Sequence, residues 1–568
     1  MPDLSAMLAQ AMRRHGAGEL DAAAALYRQV LATQPQHPDA NHLLGVAAHQ
    51  RGRHQQAVEH IERALAQRPG NADYLNNLGE AYRALRRFEQ AMDCYRRALA
   101  IRPADANALN NLGLALHHSH RFDDAQRAFS DALHAGGDDP EVHVNLGNVR
   151  RDRGDLPAAL ACYRQAIASA PRHAPAHAWL GVTLYEMGQG DSAVQALTLA
   201  TELAPLDLEA HNNLKRVYWN LDRRDRLHDS FRRACERLPQ VADTHLNLAE
   251  SLLLNHACAE AVDAARRGLA VSPDSARGHG LLGRALGAMG RLDESLAAHR
   301  RALALDPDDP LLREEHASAL LSAQRFEQAR ELLLPALAAA PRRSGILARL
   351  TIAMTELDDP RLASLVDYRH YVHARLIDVP EGFADLDSFN AALHEELAAQ
   401  HVTPNHPLEQ TMRGGTQTLN NLFQNPRGLV AVLERQIRKV ADEFVASLPC
   451  DPDHPFLRFA GAQRVFSGAW STILRGGGYD GSHIHNEGWL SGTYYVRVPE
   501  FTPRQLAAGE GHIQFGEPPA RFASARNASQ RLIAPQVGLA VLFPSYYWHG
   551  VRRFDGGGLR HSVSYDIV

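Results

Sequence analysis

A chain of 568 residues is too long for one compact core, so at least two structural units are expected. A formal net charge of -5, with 22% charged and 45% hydrophobic residues, is ordinary for a globular chain and excludes a basic field that would gather nucleic acid or an anionic membrane surface. Lysine occurs only at 215 and 439, which leaves little for Schiff-base or phosphate-loop chemistry.

The opening stretch, MPDLSAMLAQAMRRHG, lacks an apolar core of signal-peptide length, and no apolar run reaches the ~18 residues of a membrane span. A cytoplasmic chain that stays off the membrane is expected. The five cysteines, Cys94, Cys162, Cys235, Cys258 and Cys450, form no CxxC pair and read as reduced core thiols.

From here the chain keeps time. Pro35, Pro69, Pro103, Pro171, Pro205, Pro239, Pro273, Pro307 and Pro341 share one 34-residue grid, and the single missed tick falls on Gly137, itself a helix breaker. Between ticks the same residue classes recur. Leu78, Gly79, Tyr82, Ala91, Tyr95 and Ala98 are echoed by Leu112, Gly113, Ala125, Phe129 and Ala132, and again by Leu146, Gly147, Ala159, Tyr163 and Ala166. Small residues suit a close approach of two helices, large ones fill the gaps, and proline stops the second helix of each unit. The pattern resembles the tetratricopeptide repeat, a helix-turn-helix that stacks into a superhelix, and about ten units cover residues 4–341.

One recurrence exceeds that pattern. Asn77, Asn111, Asn145, Asn213 and Asn247 share one phase, interrupted only by Trp179. Asparagine is a poor mid-helix residue, so its return at one position needs a reason. A side-chain amide donates and accepts at once. The series can therefore grip an extended protein or peptide along the concave groove that first helices line in this repeat family, or tie neighbouring repeats together. It resembles the asparagine ladder of O-linked N-acetylglucosamine transferases, but no repeated βα pattern for a nucleotide-sugar fold follows it. The arginine-rich stretch 215–238 interleaves acids at helical spacing and reads as an ion-paired helix face, with no nucleic-acid partner.

After Pro341 the grid stops. Residues 342–400 read as a helical cap and linker, and residues 401–568 as a separate domain. From about 456 the segments AQRVFSGAWSTIL, GWLSGTYYVRV, GHIQFG, RLIAP, GLAVLFP and LRHSVSYDIV read as short strands punctuated by Gly and Pro, which implies a sandwich or barrel. His483 and His485, if extended, point to one face, as do Arg560 and Ser562; His549 follows an apolar strand. Two imidazoles and usually a carboxylate on one face suit Fe(II) in an oxygenase, and a buried arginine suits a distal carboxylate. Tyr495, sharing parity with Thr493, adds a hydrogen bond from the facing strand. Trp489, Tyr547 and Trp548 either shape the mouth or belong to the core.

The segments HPLEQTMRGGTQT, SHIHNEGWLSGTYYVRVP, GLAVLFPSYYWHGV and LRHSVSY resemble Fe(II)/2-oxoglutarate-dependent oxygenases fused to tetratricopeptide repeats, and the last hundred residues are similar in plan to prolyl hydroxylases. The resemblance implies a multi-domain fold, an all-α solenoid followed by a double-stranded β-helix (jelly roll) with flanking helices. It implies Fe(II) and 2-oxoglutarate as cofactors, a His-x-Asp/Glu…His triad, His549 as the distal ligand, and Arg560, Ser562 and Tyr495 at the cosubstrate. The triad is read as His483, His485 and His549; taking His485 first instead makes Glu487 the acid in place of His483. The expected activity is hydroxylation of a protein or peptide side chain held by the repeats. The alternative is a non-catalytic scaffold whose β-helix has degenerated.

Overall fold

The computed structural model describes residues 3–568, apart from 402–407, 409–410, 419–420, 487, 523 and 525–529. It divides into two compact units, Met1–Val217 and Tyr218–Val568, and the division falls inside the helix Leu208–Asn220.

The first unit is built of helix pairs, such as Ala72–Ala84 with Phe88–Ile101 and Ala106–His118 with Phe122–Gly136. Each grid proline falls two residues past the end of a second helix, and the residue two further on is the N-cap of the next first helix, accepting a backbone N–H through its side chain except at Val241 and Arg343. Asn71 accepts from Tyr74 N, Asp105 from Ala108 N and Asp139 from Glu141 N. Gly137 takes over the proline's task with φ +85°, a left-handed conformation that costs glycine little. The small residues sit where predicted. A Cβ on Gly79 would lie 2.5 Å from Tyr95, on Gly113 2.6 Å from Phe129, and on Gly147 2.5 Å from Tyr163.

The second unit carries the remaining pairs, beginning irregularly. After Asn220 a 3-10 turn, Arg224–Arg226, leads to a second helix of only nine residues, Asp229–Arg237. Here the arginines behave as an ion-paired surface: Arg226 meets Asp229 at 3.0 Å, Arg232 meets Glu260 at 3.0 Å, and Arg224 lies over Trp219. The pairs continue to Phe326–Ala339, and the helix Ser344–Glu356 adds an unpaired first helix.

The stretch expected to be a helical linker is partly sheet. Strand β1 is His373–Leu376, and the helix Leu386–Ala398 packs on the sheet: Tyr494 Oη donates to Asn390 Oδ1 at 2.8 Å. The other strands are β2 Met412–Gln417, β3 Phe466–His483, β4 Leu490–Arg497, β5 Ile513–Phe515, β6 Arg531–Ile533, β7 Leu539–Pro544, β8 His549–Val551 and β9 Leu559–Ile567. Among the described residues they form one curled antiparallel sheet in the order β1-β7-β4-β9-β3-β8-β5-β6, with β2 on β3. β3 is the strand that turns the corner. Its first part, up to Arg475, pairs with β9, and its end, from Asp480, pairs with β8. The glycine run 476–478 lies inside β3 at this bend, where a Cβ on Gly476 would meet Gly556 O at 2.2 Å.

The last repeats and the sheet share one apolar core that includes Ile346, Leu350, Phe389, Tyr494, Val541 and Trp548. This is why the unit boundary does not follow the end of the proline grid. The aromatic run after β7 makes the junction: Trp548 Nε1 donates to Ala348 O at 3.0 Å, and Tyr546 Oη donates to Leu365 O at 2.6 Å. Of the cysteines, Cys94 and Cys162 are buried thiols, whereas Cys450 is exposed, contrary to the expectation of a core position.

Candidate metal centre

β3 and β8 bring two histidines face to face, because His483 and His549 are register partners in the ladder. His485 lies just beyond the end of β3, so it is not the strand neighbour its spacing suggested; its ring reaches the same point nonetheless. One ligand nitrogen from each of His483, His485 and His549 lies within 4.8 Å of the others. Glu487, the rival ligand, lies outside the described residues.

The ring orientations follow from what holds the far side of each imidazole. His483 Nδ1 donates to Gly481 O at 2.8 Å and His549 Nδ1 to Tyr547 O at 2.9 Å, while His485 Nδ1 meets Asp566 Oδ1. A proton on each Nδ1 leaves each Nε2 with a lone pair. His483 and His485 then aim two lone pairs at each other across 3.3 Å. A shared proton or a bound cation relieves that repulsion, and three inward-facing ring nitrogens are a donor set that fits a metal ion. Burial pushes the pKa of His549 well down, with the neighbouring His483 and His485 adding to the effect, and burial also lowers that of His483. Both therefore keep the neutral form that metals bind.

A cavity of about 410 Å³ opens above this cluster. Its floor is one face of β9, since Arg560, Ser562, Ser564 and Asp566 alternate inward. Arg560 is 2% exposed, donates through Nη1 to Ser562 Oγ at 3.1 Å and lies over the Tyr495 ring, 4.9 Å from its centre. Its Nε and the Tyr495 hydroxyl are buried without a hydrogen-bond partner. A buried, incompletely satisfied guanidinium on the cavity lining, with the Tyr495 ring against it, fits a carboxylate-bearing ligand. Burial raises the Tyr495 pKa, partly offset by Arg560, so the phenol stays a donor.

Other expectations fare differently. Trp548 and Tyr547 belong to the core rather than the mouth, bonded to Ala348 O and Leu365 O, and Trp489 stacks on Phe456. The cavity's aromatic walls are instead Phe543 and Trp470, whose ring lies 5.6 Å from that of His485. Asp566 escaped sequence reasoning, although the alternation joining Arg560 to Ser562 continues to it in two more steps.

The asparagines lie on the first helices of their units, as expected. Asn111 Nδ2 donates to Asn76 Oδ1 at 3.1 Å and to Glu80 Oε1 at 3.0 Å; Asn145 Nδ2 donates to Asn110 Oδ1 at 3.0 Å. Asn77 pairs with His42 at 2.8 Å, Asn213 Oδ1 accepts from Arg216, and Asn247 Oδ1 accepts from Arg277 of the next repeat. Ties between repeats are thus present at Asn77, Asn111, Asn145 and Asn247, while the Asn213 bond stays within its own helix.

Stacked helix pairs followed by a jelly-roll sheet, with three imidazoles converging beside a buried arginine, define a repeat protein with a β-sheet domain whose histidine triad could hold a metal ion. Comparison with known families agrees. Residues 468–566 match the model described as "Putative 2OG-Fe(II) oxygenase", residues 246–310 and 281–344 match the tetratricopeptide repeat, and residues 1–217 match the C-terminal domain of cilia and flagella-associated protein 70. The chain carries tetratricopeptide repeats and, in its last hundred residues, a domain of the 2OG-Fe(II) oxygenase family. Similar solved structures include PilF of Pseudomonas aeruginosa, 21% identical over 37% of this chain and 95% of that one, with a TM-score of 0.33. A thermophilic TPR protein of Thermus thermophilus is 26% identical over 32% of this chain and 99% of its own, with a TM-score of 0.29. YrrB, described as a TPR protein with an unusual peptide-binding site, is 21% identical over 32% and 95%, with a TM-score of 0.25. Among curated proteins no match was found. No described helix is long and apolar enough to cross a membrane.

Proposed function

We propose that the chain is an Fe(II)- and 2-oxoglutarate-dependent dioxygenase that hydroxylates a side chain of a protein or peptide captured by its repeats. The observation that carries the catalytic part is the pairing of three Nε2 lone pairs with a buried, incompletely satisfied guanidinium in one cavity. His483, His485 and His549 would hold the iron, and Arg560, Ser562 and Tyr495 the far carboxylate of 2-oxoglutarate. Bound together, iron and 2-oxoglutarate supply the O2-driven oxidation of an unactivated C–H bond.

The chain's own residues do the rest. Arg560 offers a fixed positive charge in a site that Ile513, Phe543 and Leu474 help to shield from water. The Tyr495 hydroxyl, kept protonated by burial, adds a neutral donor beside it. The Nδ1–H bonds to Gly481, Tyr547 and Asp566 keep the three rings from rotating, so their nitrogens are preorganised.

The test is succinate formation by purified protein supplied with Fe(II), ascorbate and 2-oxoglutarate under air. Succinate above the His549→Ala level is expected, with a further rise when the right peptide is present. Succinate no higher than in that variant, across candidate peptides, removes the enzymatic reading and leaves the scaffold.

A second reading of the repeats is favoured by the amide bonds of Asn111 and Asn145 to the preceding repeat. In it the series serves stability and the barrel acts on a small molecule. Changing both to Ala separates the two: loss of peptide-stimulated turnover at unchanged basal turnover supports capture, while a lowered melting temperature alone supports the tie.

A further inference from the structure

The three imidazoles are not held alike. His483 and His549 are set by backbone pairing between β3 and β8, and their Nδ1–H groups donate to carbonyls, with Asp480 Oδ1 standing off at 3.7 Å from His483 Nδ1. His485 has no ladder to place it, since β3 ends two residues earlier. It is instead enclosed by a ring of hydrogen bonds. Its backbone N–H donates to Ser545 O at 3.1 Å, and its Nδ1 meets Asp566 Oδ1. Ser491 Oγ donates to that same Asp566 oxygen at 2.6 Å and lies 2.8 Å from Ser545 Oγ, which closes the ring. Ser491 and Ser545 are both fully buried.

A carboxylate that receives an imidazole N–H fixes the tautomer and makes the opposite nitrogen a stronger donor. This matters here because the three ligand groups that converge among the described residues are all imidazoles, which bring no negative charge of their own. Asp566 also stands on the strand of Arg560, on the same face, so the anion-binding end and the metal-binding end of the cavity share one element.

We propose that Asp566 is a positioning residue for the metal: it holds His485 with Nε2 turned inward and supplies, through that imidazole, the negative charge that an acidic ligand would bring. The inference rests on the metal reading above, and the following experiment tells their failures apart. Apo protein is titrated anaerobically with Co(II), following both affinity and the visible d–d spectrum, for wild type, Asp566→Asn, Asp566→Ala, Ser491→Ala and His549→Ala. Far-ultraviolet dichroism and melting of the apo forms identify variants that fail to fold.

The expected result is a folded Asp566→Asn protein with Co(II) affinity about 10- to 100-fold weaker and a shifted spectrum, as for removal of an outer-sphere partner of a metal-bound histidine. Ser491→Ala, which removes only the support of the carboxylate, should lose less and keep the wild-type band positions. An Asp566→Asn protein that titrates like wild type would overturn the proposal, since the isosteric change keeps the volume and removes the charge; if it does not fold, Ser491→Ala titrating like wild type does the same. Wild type binding no better than His549→Ala would overturn the metal reading itself.

Discussion

In the proposed function, Arg560 is the side chain on which the anion end of the site depends. With Nε unsatisfied and only Ser562 Oγ bonded to it, the guanidinium is preset for a ligand rather than for a structural ion pair. Arg560→Ala should raise the KM for 2-oxoglutarate about 10- to 150-fold, the factor equivalent to the ~1.5–3 kcal/mol of a hydrogen bond to a charged group. A KM within twofold of wild type in initial-rate assays would refute that role. On the opposite face of β9, His561 Nδ1 lies 2.7 Å from His394 Nδ1, and its Nε2 lies 2.6 Å from Ser471 Oγ, which also meets His401. Burial pulls the His561 pKa to about 3 and that of His401 to about 4, with His394 and Arg497 opposing any added positive charge on His561. The unfolded chain binds protons near pH 6.5 and the folded one does not. Stability is therefore full above pH 6.5 and declines toward pH 3, by up to ~1.4 kcal/mol per pH unit per histidine. Urea midpoints between pH 7 and pH 5 should fall for wild type and fall less for His561→Gln; equal slopes would show that this cluster is not responsible.

Between elements, fit decides. The helix pairs of the first unit close over glycine because an aromatic ring from the partner helix occupies the place of a side chain. Gly113→Val would drive a methyl-bearing Cβ into Phe129 and should cost ~1–3 kcal/mol of overpacking, read as a lower melting temperature. In the second unit the turn between β7 and β8 does two tasks. It sends Trp548 into the last repeat helix and leaves the next residue, His549, in the cavity. Trp548→Ala removes the bond to Ala348 O and a buried indole, a loss of ~3–5 kcal/mol, and should weaken Co(II) binding as well by loosening the entry to β8. Normal affinity in a destabilised Trp548→Ala protein would show that β8 is held without this anchor. The small and large residues of the repeats were legible because they recur within each 34-residue period. β1 was not legible, since four residues of mixed character, HARL, become a strand only by pairing with β7 some 165 residues later.

For the whole chain, the division at Val217/Tyr218 carries a prediction about fragments. A fragment of 218–568 keeps the last repeats, β1 and the helix Leu386–Ala398 with the sheet, and should melt cooperatively. The domain expected from sequence, 401–568, leaves β7 without its edge partner β1 and uncovers the faces of Tyr494 and Trp548; it should be insoluble or unfolded by circular dichroism. A stable, folded 401–568 would refute this account of the core.

The amino-acid sequence by itself determined what repeats locally or alternates along one strand. It specified the proline grid, the small and large residues that recur between its ticks, and the inward parity of Arg560 and Ser562, because helix and strand periods need only neighbours to be expressed. It also named the three histidines, through residue type and resemblance. Only the tertiary structure decided that His485 is held by Asp566, that the expected linker contributes a strand, and that the last repeats share a core with the sheet. Those outcomes depend on which distant segments meet when β3 bends and the sheet curls, and a local pattern carries no record of such meetings.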